Sequence, residues 1–152
     1  MMTQGSALKL LKSQPILIVD DSEDDFEATK RAFVRASLRN PIRHAASGEE
    51  ALKLLEAEDV PKPGLILLDL NMPGLDGRKT LEIIKQSDTL KRIPVVVLTT
   101  SDDERDVLGC YALGANTYVQ KPVDFDGLIA AVQRLKEYWF EIAILPREGG
   151  ND

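Results

Sequence analysis

The sequence predicts an α/β fold in which five βα units form a doubly wound, parallel five-stranded sheet with helices on both faces. Three runs of branched apolar residues, Ile16 to Val19, Leu65 to Leu68 and Val95 to Leu98, are continuous rather than alternating and end at polar side chains. Strands buried on both faces read this way. Between these runs lie segments whose apolar residues recur at three- and four-residue intervals, the spacing of helices packed along one side.

The elements follow in order. Ile16 to Val19 is the first strand, and Phe26, Thr29, Phe33 and Ala36 mark the inner face of the first helix. Ser22 followed by Asp25 has the three-residue spacing of a capping box, with Glu23, Asp24 and Asp25 in a first turn where the helix dipole favours negative charge. Asn40-Pro41 closes that unit. Ile42 to Ala46 is the second strand, Ser47 and Glu50 start the second helix, and Ala51, Leu52 and Leu55 form its inner face. Pro61-Lys62-Pro63-Gly64 is a turn ahead of the third strand, Leu65 to Leu68, and Pro73-Gly74 is another before a third helix marked by Leu81, Ile84 and Ile83. After Val95 to Leu98, Ser101 and Glu104 repeat the capping spacing, with Asp102 and Asp103 between them, and Val107, Leu108 and Tyr111 mark a fourth helix. Asn116 to Val119 is the fifth strand. Phe125, Leu128, Ile129, Val132, Leu135 and Trp139 carry the last helix, and the spacing persists to Ile142, so an extended C-terminal helix is expected.

Composition narrows the function. The 152 residues suit one domain, and 43% apolar with 29% charged content is the balance of a globular chain. A net charge of −6 with no basic stripe argues against nucleic acid as a partner. One cysteine and one histidine exclude a disulfide framework and a Cys/His metal cluster. Cys110 reads as helix core, and His44 as an ordinary residue of the second strand, away from the expected site. No apolar run suits a signal peptide or a membrane span, so a cytoplasmic protein is expected.

In an open parallel sheet, functional groups gather beyond the carboxyl ends of the strands. Those positions hold Asp20 and Asp21, Asp69, Thr99 and Thr100, and, just past the fifth strand, Lys121. Each alone has an ordinary structural reading, as a turn, cap or loop residue. Together they place three carboxylates, a hydroxyl and an ammonium at one edge. Converging carboxylates raise one another's pKa unless a cation holds them, and an all-oxygen ligand set suits Mg²⁺. The hydroxyl and ammonium supply the donors that phosphoryl oxygens need.

Four motifs at these strand ends resemble the receiver domain of two-component response regulators: Ile16-Leu17-Ile18-Val19-Asp20-Asp21, Leu67-Leu68-Asp69-Leu70-Asn71-Met72-Pro73-Gly74-Leu75-Asp76-Gly77, Val96-Val97-Leu98-Thr99 and Tyr118-Val119-Gln120-Lys121-Pro122. The resemblance implies the flavodoxin-like receiver fold over residues 15–138, preceded by an N-terminal extension, 1–14, and followed by 139–152, an extension of the last helix with a polar tail. It implies Asp69 as phosphoacceptor and a Mg²⁺ site from Asp20, Asp21, Asp69 and the backbone carbonyl of Asn71. Lys121 would pair with the phosphoryl oxygens, and Thr99 would hydrogen-bond to them. Thr99 and Tyr118 would form the switch, and Lys121-Pro122 is a candidate cis peptide. Asn71 and Ser101 stand where such domains tune hydrolysis of the acyl phosphate.

The finer likeness is to stand-alone, phytochrome-associated response regulators. It implies a sensor histidine kinase or histidine phosphotransfer protein as donor, output by protein binding, and a possible homodimer through the fourth-helix/fifth-helix face and the C-terminal extension. Such a protein is a signalling phosphoacceptor rather than an enzyme. The rival is an aspartate-nucleophile phosphatase acting on small phosphoesters, which wants an acid two residues past the nucleophile, where this chain has Asn71.

Overall fold

A computed structural model describes residues 14–72, 74 and 76–142. The expected 1–14 extension lies outside these except for Gln14, as do residues 143–152 of the expected C-terminal extension, and Pro73 of the Pro73-Gly74 turn. The chain alternates strand and helix as predicted: β1 (Ile16–Val19), α1 (Glu23–Arg35), β2 (Ile42–Ala45), α2 (Gly48–Glu56), β3 (Leu65–Leu68), α3 (Gly77–Gln86), β4 (Val95–Thr99), α4 (Glu104–Ala112), β5 (Thr117–Gln120) and α5 (Phe125–Lys136).

All strand pairs are parallel, in the order β2-β1-β3-β4-β5. Along β1 the side chains alternate between two cores. Ile16 and Ile18 join Phe26, Phe33, Leu128, Val132 and Trp139 of the α1 and α5 layer. Leu17 and Val19 join Ala51, Leu55, Leu81, Ile84 and Cys110 of the α2, α3 and α4 layer. Burial on both faces is the physical reason these strands are apolar at every position.

The caps agree in part with the sequence. Ser22 Oγ accepts from Asp25 N at 3.1 Å and Ser47 Oγ from Glu50 N at 3.1 Å, while Glu50 Oε1 reaches back to Ala46 N at 2.7 Å. At α4 the expected Ser101 cap is replaced by Asp103, whose carboxylate accepts from Arg105 N at 2.8 Å. Ser101 is taken up elsewhere, its Oγ donating to Asp106 Oδ2 at 2.8 Å. The inner face of α4 also differs. Cys110 is its buried residue, whereas Leu108 and Tyr111, expected inside, are 65% and 47% exposed.

Past Lys136 the helix widens into a π-helical segment, Glu137–Ile142. This turn keeps Trp139 in the core, 6% exposed, and leaves Ile142 65% exposed. A five-residue ion pair, Lys136 Nζ to Glu141 Oε2 at 3.8 Å, spans the wider turn.

Candidate phosphoacceptor site

The strand order creates the site. The chain steps from β1 outward to β2 and returns on the other side of β1 to β3, so the helices after β1 and β3 lie on opposite faces and a crevice opens between these strand ends. In register, Val19 pairs with Leu68, which puts Asp20 beside Asp69 at the next position. Backbone bonds fix that edge: Asp69 N donates to Val19 O at 3.0 Å and Asp20 N to Ala45 O at 3.0 Å. Carboxylate oxygens of Asp20, Asp21 and Asp69 lie within 4.8 Å of one another. Asp20 and Asp69 are buried, and Asp21 faces solvent.

Lys121 enters from the far side. Its backbone N–H donates to Thr99 O at 2.6 Å, continuing the β4–β5 ladder by one residue, and its side chain crosses to the acids. Lys121 Nζ lies 2.8 Å from Asp20 Oδ2, 3.0 Å from Asp25 Oδ2 and 3.6 Å from Asp69 Oδ2. Burial works against the Lys121 charge, but hydrogen bonding to Asp20 and the attraction of the acids outweigh it and raise the ammonium above its usual range. Burial pushes the Asp20 carboxyl up, and the Asp69 charge adds to this, against the lowering by Lys121 and the Ser22 N–H. One ammonium thus leaves the pocket with excess negative charge. Three convergent carboxylates in that condition fit a divalent cation.

The remaining predicted residues surround this cluster. Asn71 N–H points at Asp69 Oδ1 at 3.3 Å, and Asn71 Nδ2 donates to the fully buried Thr99 Oγ1 at 3.4 Å, so Asn71 bridges acid and hydroxyl. Tyr118 sits half-buried in β5, its OH donating to Ser101 O at 2.9 Å and its N–H donating to Tyr111 OH at 3.1 Å. All peptide bonds among the described residues are trans, so the expected cis candidate at Lys121-Pro122 is corrected to trans, the isomer of lower energy even before proline.

Sequence reasoning missed several contributors. The sequence places Asp25 in the helix cap, and its backbone does serve there, but its carboxylate turns to Lys121. Sequence position sets His44 apart from the site. Instead it stacks on Phe26, ring centroids 4.0 Å apart, and its Nε2 lies 2.8 Å from the Asp20 carbonyl, which accepts only, so Nε2 carries the proton. A single sequence carries no signal for this, because the contact spans two neighbouring strands. Gly77 has a signal in hindsight, the Asp76-Gly77 pair at a helix start. A Cβ there would collide with the Asp69 carbonyl oxygen and sit 2.6 Å from Leu70 Cα. Asp76 caps α3 by accepting from Lys79 N at 3.0 Å, so the first turn of α3 lies directly on the backbone that carries Asp69.

A last network joins Tyr118, through Ser101, to α4 and α3. Arg78 Nε and Nη2 approach Asp106 Oδ1 at 3.1 and 2.5 Å, clasping α3 to α4, and Asp106 holds Ser101. The Arg78 guanidinium, followed by the Ser101 hydroxyl, draws the Asp106 carboxyl below its usual range.

Residues 16–133 match the family model described as the response regulator receiver domain. Among curated proteins, the chain is 41% identical over 135 residues to response regulator Rcp1 of Synechocystis sp., covering 86% of this chain and 92% of Rcp1. Among solved structures, it is similar to a phosphorylated cyanobacterial phytochrome response regulator, RcpA, with a TM-score of 0.82, 37% identity, and 88% of this chain against 99% of that one. The Mn²⁺-bound form of Rcp1 matches with a TM-score of 0.80, 40% identity and the same coverage, 88% and 99%.

Proposed function

The chain belongs to the response regulator receiver family of two-component signalling, and from that premise we propose that Asp69 is its phosphoacceptor, taking a phosphoryl group from a phosphohistidine on a sensor histidine kinase or phosphotransfer protein. The observation that carries this is the convergence of Asp69 with Asp20 and Asp21 in one acidic cluster, 3.6 Å from Lys121 Nζ. A carboxylate oxygen of Asp69 attacks phosphorus, the new acyl O–P bond forms as the N–P bond breaks, and the electron pair returns to the imidazole, which, already protonated on its other nitrogen, leaves neutral.

The metal residues are Asp20, Asp21 and Asp69, with the Asn71 carbonyl as a further ligand. Bound there, Mg²⁺ supplies neutralising charge for the phosphoryl oxygens during transfer. The Mn²⁺-bound state of the similar Rcp1 supports a divalent cation at this cluster. Lys121 neutralises the transferred group from the opposite side. Thr99, already hydrogen-bonded by Asn71, donates its hydroxyl to the new oxygens, and Tyr118 exchanges its bond to Ser101 O for an inward position as that loop follows Thr99.

The receiver unit spans 15–138, with 1–14 and 139–152 as extensions. The output is protein binding, with homodimerisation through the α4/α5 face and the C-terminal extension. Exposed Leu108, Tyr111, Val123, Tyr138 and Ile142 support that surface. The protein works in the cytoplasm, without turnover beyond its own phosphorylation and dephosphorylation. Among the described residues, no helix is long and apolar enough to cross a membrane. The phosphatase reading finds no support: the matched relatives are response regulators, and Asn71 is no proton donor of the required kind.

Incubation with Mg²⁺ and a small phosphodonor tests the assignment. One phosphoryl group of added mass is expected on the wild-type chain and none on Asp69→Ala. Equal labelling of both would overturn it.

A further inference from the structure

Lys121 has more partners than phosphoryl transfer requires. Two of its three acids, Asp20 and Asp69, belong to the acidic cluster; the third, Asp25, comes from the first turn of α1 and is not among the three carboxylates that converge there. Its Oδ2 is 3.0 Å from Lys121 Nζ, closer than Asp69 at 3.6 Å, and its side chain is 51% exposed against 11% for Asp69. The Lys121 side chain is itself 11% exposed, so Asp25 reaches the ammonium from the rim while Asp20 holds it from within at 2.8 Å.

We propose that Asp25 is a positioning residue for Lys121: it shares the ammonium with Asp20 in the resting protein and gives up its share when phosphoryl oxygens arrive on Asp69. The inference rests on the assignment of Asp69 and Lys121 above. It follows from competition for one cation. Lys121 carries three donors, of which Asp20 and Asp25 take two, so once a first phosphoryl oxygen at Asp69 has the third, any further one competes with Asp20 and Asp25. Asp20 is buried, so stripping its partner would leave a buried charge uncompensated, whereas Asp25 can be rehydrated at small cost. Asp25 is thus the contact that yields. Its charge has a second consequence, because an anion at the rim adds to the negative potential that attracts a divalent cation and repels an anionic donor.

The two consequences have opposite signs, which makes the role separable from mere structural support. In Asp25→Asn the backbone N–H that Ser22 Oγ accepts is retained, so the start of α1 is preserved. Isothermal titration of the full chain should show beryllofluoride, in saturating Mg²⁺, binding roughly two- to fivefold more tightly to Asp25→Asn than to wild type, the scale of one exposed ion pair. Mg²⁺ alone should bind roughly two- to fivefold more weakly. Asp25→Glu restores the carboxylate on a longer stem and should move both affinities back toward wild type. Variant affinities within twofold of wild type, or a joint weakening of both, overturn the inference while leaving the phosphoacceptor assignment intact. Wild-type protein that binds no beryllofluoride at all overturns the assignment and the inference with it.

Discussion

Gly77 shows how a single residue controls the site without touching a ligand. A methyl group at this position has no room between the α3 start and the Asp69 backbone, and neither neighbour is a flexible side chain that could move aside. Gly77→Ala is expected to cost about 1–3 kcal/mol, as overpacking does, and to lower the extent of phosphorylation by displacing Asp69. Urea denaturation followed through Trp139, the single tryptophan, and mass-based phosphorylation would read the two effects separately. Lys85 presents a different case. Its Nζ donates to the carbonyls of Lys91 and Ile93 at 3.1 and 2.8 Å, while burial lowers its pKa to about 8 from the ordinary 10.5. Between those values the unfolded chain holds a proton that the folded chain has lost, so this group makes stability rise with pH across that window. Burial raises the Cys110 thiol, which acts in the opposite sense at higher pH, so the Lys85 contribution is read as a difference. The stability of Lys85→Met should therefore change less favourably than wild type from about pH 8 to 10.5, and parallel curves would refute it.

Among the elements, α4 is the one whose sequence and structure diverge most, and the reason is physical. Its apolar residues Leu108 and Tyr111 are exposed, and only Cys110 on this helix is fully buried. The helix is held instead by polar contacts, the Arg78–Asp106 clasp to α3 and the Ser101 bond to Asp106. An element retained by half-exposed polar bonds is more easily moved than one retained by a buried stripe, which suits the switch proposed for Thr99 and Tyr118. Asp106→Ala should cost about 0.5–1 kcal/mol of stability, the worth of a partly exposed ion pair. It should also speed hydrogen exchange in the loop from Thr100 to Asp103 and in the first turn of α4, while leaving β1 and β3 unchanged. Exchange rates equal to wild type in that loop would show that the clasp does not restrain it. The edge strands tell a related story. β2 and β5 are half-buried, and their ends shift by one residue from the apolar pattern, because one side of each faces no neighbouring strand and the burial signal is weaker there.

At the scale of the molecule, the exposed apolar residues on α4 and along the C-terminal segment bear on assembly. Sedimentation with and without Mg²⁺ and beryllofluoride tests the homodimer, a concentration-dependent dimer being expected in at least one state and a monomer in both refuting it. The sequence by itself determined the α/β class, the five-unit order, the three central strands and which polar residues gather at the strand ends, because continuous apolar runs mark buried parallel strands and the polar residue ending each run must lie at one edge of the sheet. Asp69, Asp20, Asp21, Thr99 and Lys121 were legible for that reason. The tertiary structure alone decided which groups share partners across elements. It turned Asp25 from a helix cap to an ion pair with Lys121, brought His44 onto the Asp20 carbonyl, moved the α4 cap from Ser101 to Asp103, and set Gly77 against the Asp69 backbone. The Asp25 and His44 contacts join residues far apart in the chain, and all four depend on strand order or side-chain direction, which local periodicity does not contain.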